Sequence, residues 1–431
     1  MAEAGQFPRG RQLHIGLSLS PTWLKGRPAD HPEGGSGEDP TAFYLALTRM
    51  AERAKLDFVF KADYLVMYPG MGGGAVGLDP TLMMAAIARG TDRIGLVTTV
   101  STSFNPPFVV ARQIQSLHWI SRGRAGLNIV TSIEGAENFG DEPMPPPETR
   151  YRKAAEFTDV MRRLWRSYPH EALSGAATAA AIDHRGSFFS VRGPLNIPAH
   201  PAGQPPLFQA GASEIGRDFS SSIADATFAA APDREAAVEL RGDLRRRAQG
   251  HGRSADSVRV LPGLYFFLAA TREEAWALHA RAHAHLTPEQ RRKSVKTVLG
   301  LDLGDLAPTA RVTAAMLPPR DAPVRSRTHA ELLRRFVEAK EPTVTELLAR
   351  PEVVGSAHWV SVGTVDDVLA DIVDWFEAGA LDGFIALPGG SLESLRLFLD
   401  ELVPALVRRG LFRAEYQGTT LREHLRLAEE G

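Results

Sequence analysis

A few polar side chains stand where apolar runs stop, and together they could hold a ligand. Asn128 sits in Ala125-Gly126-Leu127-Asn128-Ile129-Val130-Thr131-Ser132, an apolar strand pattern that ends in hydroxyls. A buried amide has to be hydrogen-bonded, and the carboxyl ends of parallel strands are where such folds bind ligands. Asp63 follows the apolar Phe58-Val59-Phe60, and Thr99 closes the run Ile94 to Thr99. Both project from the same end of a sheet, although an aspartate there can also cap a turn and a β-branched residue can simply pack. In Gln209-Ala210-Gly211-Ala212-Ser213-Glu214-Ile215-Gly216 a strand leads through small residues into a helix. Free amides at that helix start, approached closely past glycine, suit a phosphate; the other reading is a plain N-cap serine. If a phosphate binds there, Arg150 and Tyr151, which open another helix, are further contacts.

Those positions need a scaffold, and the hydrophobic pattern supplies one. Short apolar runs alternate with helical patterns from Leu13 onward: Leu13 to Leu19, Thr41 to Lys55, Phe58 to Phe60, Pro80 to Ala88, Ile94 to Thr99, Phe108 to Ile120 and Ala125 to Val130. Arg122-Gly123-Arg124 ends the helix before the Asn128 strand, glycine releasing the chain from helical geometry. The series continues through Tyr151 to Trp165, Leu207 to Ala210, Glu214 to Ser222, Ala226 to Phe228, Arg234 to Gln249, Val258 to Leu268 and Arg272 to His283. It resumes with Val365 to Phe376, Gly383 to Leu387 and Ser391 to Arg408. About eight βα units favour one closed α/β barrel of the (β/α)8 TIM type over an open sheet.

Three segments depart from that rhythm within what reads as a single domain over 1–431. Residues 181–204 look like a hairpin around Arg185-Gly186 followed by proline-rich turns. Residues 286–356 carry several prolines and a mixed pattern, an irregular insertion. The tail, 410–431, is charged and partly helical, a candidate for contact with a partner subunit.

Composition narrows the chemistry further. The 49 basic and 51 acidic residues nearly balance, so the chain lacks the footprint of a nucleic-acid binder. Without cysteine it has no disulfide, thiolate metal site, iron–sulfur cluster or cysteine nucleophile. His14, His118 and His184 lack metal-ligand spacing, and neither an HExxH motif nor paired carboxylates occur. No metal and no catalytic acid or base is assigned. Arg245 to Arg247 reads as a solvated helix face, and Gly72-Gly73-Gly74 as a loop. The amino terminus lacks the apolar core of a signal peptide and no run approaches the roughly 18 residues of a membrane span, so the chain reads as soluble and cytoplasmic.

The motifs RGRAGLNIVTS, RYRKAAEFTDVMRRLW, DHRGSFFSVRGPLNIPAHPAGQPPLFQAGASEIGR and LVPALVRRGLFRAEYQGTTLREHL, in this order, carry a resemblance. From about Leu13 to Leu427 the chain resembles the flavin-dependent monooxygenases of the bacterial luciferase superfamily, in the branch with nitrilotriacetate monooxygenase, dibenzothiophene-sulfone monooxygenase and pristinamycin synthase. The resemblance implies a (β/α)8 barrel with hairpin and helical insertions. It also implies reduced FMN supplied by a separate NAD(P)H:flavin reductase, O2 as co-substrate and transfer of one oxygen to a small organic substrate through a peroxyflavin. Family flavin contacts carry over to Asp63 and Thr99 near the ring, to Tyr151 and Ser213 toward the phosphate, and to Asn128 on its strand. A homodimer or homotetramer is expected. Phe104, Trp23 and Tyr64 are candidates for lining an apolar substrate pocket.

Three departures from the family pattern bear on these expectations. Pro147 stands where relatives often have a histidine four residues before the tyrosine. His118-Trp119 replaces a common Asp-His pair, and the first loop, Ser18 to Trp23, lacks the usual His-His pair. An F420-dependent oxidoreductase of the same superfamily, or a flavin-binding protein without turnover, are the alternatives.

Overall fold

The computed structural model describes residues 11–20, 40–66, 78–140, 143–211, 213–284, 286–320, 322, 324, 327–354 and 358–428. In chain order its strands are β1 (His14–Ser18), β2 (Phe58–Phe60), β3 (Gly95–Ser101), β4 (Ala125–Val130), β5 (His184–Arg185), β6 (Ser190–Val191), β7 (Leu207–Gln209), β8 (Ala226–Ala229), β9 (Arg259–Leu268), β10 (Trp359–Gly363) and β11 (Gly383–Pro388). Eight of them close a parallel barrel in the order β1-β2-β3-β4-β7-β8-β9-β11, with β11 pairing back to β1 and β8 to β9. Helices α1 (Pro40–Arg53), α2 (Pro80–Ala88), α3 (Pro107–Ile120), α4 (Pro147–Arg166), α5 (Glu214–Ile223) and α6 (Arg234–Gly250) cross over between consecutive barrel strands from β1 to β9. The expected (β/α)8 barrel is therefore the fold.

Alternation along the short strands decides which residues meet inside. Phe58, Phe60, Val97, Phe208, Leu261 and Ile385 pack together in the lumen, with the Phe58 and Phe208 rings edge to face at 5.0 Å. Gly16 on β1 leaves room for this packing, because a Cβ there would fall 2.2 Å from the Phe58 ring. The same inward parity brings Thr99 and Asn128 above that apolar floor, opposite each other in register. Truncating one such phenylalanine costs about 3–5 kcal/mol, so the floor beneath the polar residues is firm.

The base of the barrel is closed by the chain's own tail. Leu421 and Leu425, in and just after helix α15 (Leu421–His424), join the lumen cluster, and a Cβ on Gly95 or Gly126 would strike Leu421. The tail thus packs on its own barrel. Beside it Asp57 accepts from the Ile15 amide at 2.7 Å, from Arg413 and from His14 at 3.3 Å. Burial pushes this carboxyl up, but Arg413, His14 and the Ile15 amide outweigh burial and hold it below the usual range.

The Arg122-Gly123-Arg124 stop is built as the sequence suggests, with φ of 58° and 86° at the first two residues. Arg124 is buried, and its guanidinium donates to the carbonyls of Ser121, Ile94, Ala88 and Thr91 and to the Thr91 hydroxyl, all between 2.8 and 3.0 Å. It ties the ends of α2 and α3 to the start of β4.

Two regions depart from expectation. Residues 286–356 are largely helical: α8 (Pro288–Leu299), α9 (Arg327–Lys340), α10 (Val344–Leu348) and α11 (Pro351–Val354) follow α7 (Arg272–Ala282). They enclose a separate core that includes Val295, Leu299, Leu333, Val337 and Leu347. Two of the prolines, Pro288 and Pro351, occupy helix starts, and Thr287 with Gln290 and Thr343 with Glu346 form capping boxes. Just beyond, β10 pairs with the carboxyl half of β9, a strand the sequence reading passed over. In the closing stretch, α12 (Val365–Glu377) precedes β11, and α13 (Leu392–Leu397) continues into α14 (Val403–Arg408) through a π-helical turn at Phe398–Leu402. Pro404 explains that turn, since it has no N–H to give and its ring crowds the preceding turn.

Candidate functional site

The carboxyl end of the barrel carries a short relay of hydrogen bonds. The Thr99 hydroxyl donates to the Lys61 carbonyl at 2.7 Å, and the Asn128 Nδ2 donates to Thr99 Oγ1 at 3.1 Å. Thr99 has spent its only hydrogen on Lys61, so it can only accept from Asn128, and this fixes the amide's orientation. The Asn128 Oδ1 consequently points away from Thr99 and, buried, has no hydrogen-bond partner among the described residues. An unmet acceptor in a buried site costs about 1–3 kcal/mol. A ligand N–H donor removes that penalty.

A second feature forms around the start of α5. Ser213 is its N-cap, accepting the Gly216 amide at 3.2 Å, so the capping role is realised. Gly211 and Gly216 approach so closely that a Cβ on Gly211 would lie 2.9 Å from the Gly216 Cα. A Cβ on Gly216 would lie 2.7 Å from the Tyr151 hydroxyl and 3.1 Å from the Ser213 hydroxyl. Tyr151 reaches this point because its ring packs edge-on against Phe219 of α5, 5.6 Å away. Two hydroxyls, glycine backbone and the amides of a ten-residue helix therefore converge, a set that suits an anion.

Between these two features opens a cavity of about 300 Å³, lined among others by Asp63, Tyr64, Ser101, Ser132, Tyr151 and Gly211. Burial, then the neighbouring Asp79, pushes the Asp63 carboxyl above the usual carboxylate range. Such a shift favours the protonated form, which can donate a hydrogen bond. Ser132 adopts φ of 40°, donates to Ser101 Oγ at 2.8 Å and offers its carbonyl to Arg150 at 2.8 Å. Arg150 is buried, and its Nε has no hydrogen-bond partner among the described residues.

Of the five residues singled out in the sequence, Asp63 and Tyr151 line the cavity. Thr99 and Asn128 form a bonded pair beneath its rim, and Ser213 lies behind Gly216, against which Tyr151 also rests. Tyr64 lines the cavity as expected, whereas Phe104 is not among its lining residues and stacks on Phe139 at 4.3 Å. Ser132 is one of the hydroxyls that end the Asn128 strand, whereas Ser101 and Glu134 were missed. Ser101 was within reach of the sequence, because it shares the inward parity of Thr99 two residues earlier. Trp23 and Gly72 to Gly74 lie outside the described residues.

The departures from the family pattern are structural where they can be seen. Pro147 is exposed at the first position of α4, where proline's fixed φ suits a helix start. His118 and Trp119 pin the extended segment before β7, through Gly203 at 3.1 Å and Pro198 at 2.9 Å. Burial lowers the His118 pKa to about 3, so it acts as a neutral packing group. His184 pairs with Glu156 at 3.0 Å, and Glu156 also receives the amides of Phe188 and Phe189 after β5.

Comparison with known proteins agrees with this architecture. Residues 23–382 match the family model described as luciferase-like monooxygenase. N-acetyl-S-(2-succino)cysteine monooxygenase of Bacillus subtilis is 33% identical, with 97% of each chain covered. Nitrilotriacetate monooxygenase component A of Aminobacter aminovorans is 34% identical, with 90% of each chain covered. Among solved structures, EDTA monooxygenase from Chelativorans sp. BNC1 superposes with a TM-score of 0.80 at 28% identity, covering 97% of this chain and 99% of that one. Barrel, motifs and near full-length similarity agree, and the chain belongs to the luciferase-like monooxygenase family.

Proposed function

We propose that this chain is the oxygenase of a two-component system, which takes reduced FMN from a separate NAD(P)H:flavin reductase and uses O2 to oxygenate a small organic substrate. The observation that carries the reading is the unmet, buried Asn128 carbonyl oxygen on the strand whose following residues, Val130 and Thr131, line the same cavity as Tyr151 and Gly211 of the cradle. A reduced flavin ring offers N–H donors for the first and FMN's phosphate suits the second, so the residues present fit this cofactor. When bound, reduced FMN would supply the two electrons with which one atom of O2 enters the substrate and the other leaves as water.

The chain's own share is to bind, orient and exclude water. Asn128 accepts from the ring, oriented by Thr99. Asp63 at the cavity wall offers its carboxyl group to the polar edge of the ring. Tyr151 and Ser213 donate hydroxyls to the phosphate beside the α5 amides. The Ser101–Ser132 pair, held by Arg150, shapes the wall between ring and phosphate. The reductase's need for NAD(P)H is the reason the reading puts both components in the cytoplasm, and a homodimer or homotetramer remains the expected assembly.

Anaerobic titration of the full chain with reduced FMN and, separately, with F420 tests the cofactor. Tight binding of reduced FMN is expected; tight F420 binding with none of FMN overturns the reading. Addition of a flavin reductase, NAD(P)H and ¹⁸O2 then tests turnover on N-acetyl-S-(2-succino)cysteine, nitrilotriacetate and EDTA, the compounds named for its relatives. One ¹⁸O atom per product is the expected result, and flavin binding with every compound left unchanged makes the chain a flavin-binding protein instead.

A further inference from the structure

The opposite end of the barrel holds a second cavity, of about 550 Å³, that the flavin reading does not use. It opens at the amino ends of β1, β9 and β11, where five guanidinium groups, of Arg11, Arg241, Arg245, Arg259 and Arg426, face two carboxylates, of Asp256 and Asp382. Both carboxylates are already engaged. Asp382 takes both Nε and Nη2 of Arg241, at 3.1 and 2.6 Å, the Val260 amide at 3.0 Å and Arg245 at 3.3 Å. Asp256 takes Arg245 at 2.8 Å. Arg259 instead donates to the backbone carbonyls of Asp256 and Arg426.

A purely structural network would use up its donors and balance its charge. Arg124, at the same end of the barrel, does the first, with five bonds to protein acceptors. Among the described residues the cavity does neither: guanidinium groups outnumber carboxylates in its lining, and the Arg245 Nε is buried with no hydrogen-bond partner. Burial, then Arg241, also lowers the Arg11 pKa, a sign of like charges crowded together. Forked guanidinium donors around a space of this size match tetrahedral oxyanions better than a single carboxylate.

We infer that this base pocket binds a multivalent phosphate anion, either free or as the diphosphate of a nucleotide, held by Arg245, Arg259 and their neighbours. Calorimetry on the full chain, with FMN in excess to occupy the opposite end, tests this with pyrophosphate and ADP as probes. One anion bound per chain is expected, weakened about tenfold or more by Arg245→Gln. Arg245→Lys keeps the charge but loses the fork, and should fall between the two. ADP binding more tightly than pyrophosphate identifies a nucleotide source, and equal or weaker ADP binding a free polyphosphate.

Three results overturn the inference: no binding to the wild-type chain, equal weakening by the surface substitution Arg272→Gln, or binding lost in Ser213→Ala but kept in Arg245→Gln. The last would put the anion at the start of α5. Should Arg245→Gln fail to fold, Arg259→Gln provides the same comparison, and wild-type melting with and without pyrophosphate reads binding without any variant. Because the readout is anion binding, failure of FMN to bind would leave the test intact and count only against the flavin reading.

Discussion

Two residues four positions apart stand at opposite ends of one strand and are treated in opposite ways. Arg124, just before β4, is buried with its guanidinium met by four carbonyls and a hydroxyl. Asn128, within β4, is equally buried but leaves its carbonyl oxygen unmet. A saturated polar group brings stability, because every partner loses by its removal. An unsaturated one stores a small penalty that only a ligand relieves. Arg124 therefore marks the framework and Asn128 the site, although both lie in RGRAGLN and look equally anomalous in the sequence.

The sharpest way to break this contrast is to remove Arg124. Arg124→Ala strands the carbonyls of Ser121, Ile94, Ala88 and Thr91 and should destabilise the fold by at least about 3 kcal/mol in urea unfolding. A loss below about 1 kcal/mol would show that the base does not depend on it. Asp57→Asn probes the same end through its charge and should cost roughly 3 kcal/mol at neutral pH, because Arg413 loses its buried partner. The sign follows from the lowered native pKa. The wild-type advantage is complete above about pH 4, where the unfolded carboxyl is ionised, and fades as pH falls toward the native value. Melting curves of both proteins should converge in acid; a gap that persists at the lowest pH contradicts the assignment.

At the other end the expectation reverses. Asn128→Leu should leave stability within about 1 kcal/mol of wild type, since it deletes an unmet acceptor, while reduced-FMN affinity falls roughly tenfold. Unchanged affinity in an anaerobic titration would remove Asn128 from the site. The smallest effect concerns the cradle. Gly216→Ala pushes a methyl against the Tyr151 hydroxyl and should lower flavin affinity by roughly 1 kcal/mol. Unchanged affinity in the same anaerobic titration would mean that the methyl is accommodated without disturbing the phosphate cradle.

Much of this was legible in the residue order. The βα rhythm located all eight barrel strands, and the stop at Arg122-Gly123-Arg124 is where the chain takes φ of 58° and 86°. The ends of the apolar runs also point to Asp63, and the start of α4 to Tyr151, both of which line the cavity. Other features escaped for identifiable reasons. β10 is a five-residue strand of alternating burial, too short to stand out between the insertion and α12. The helices of 288–354 announce themselves through capping boxes, a local signal outweighed by the mixed hydrophobic pattern. Arg245 looked like part of a solvated basic face, and only its neighbours across the barrel base show otherwise. Phe104 looked like a pocket residue, but its stacking partner Phe139 lies 35 residues further along the chain.

Residue order by itself determined the strands, the helices between them, their caps and the family, because periodicity, turn chemistry and motif order are carried by neighbours along the chain. Closure of the barrel decided the rest. It determined that Thr99 spends its hydrogen on Lys61 and so turns the Asn128 amide, that Tyr151 meets Gly216, and that α15 fills the base. Each of these depends on contact between residues far apart in sequence, and a polar group's role is set by which of its bonds remain unmade once all its neighbours are in place.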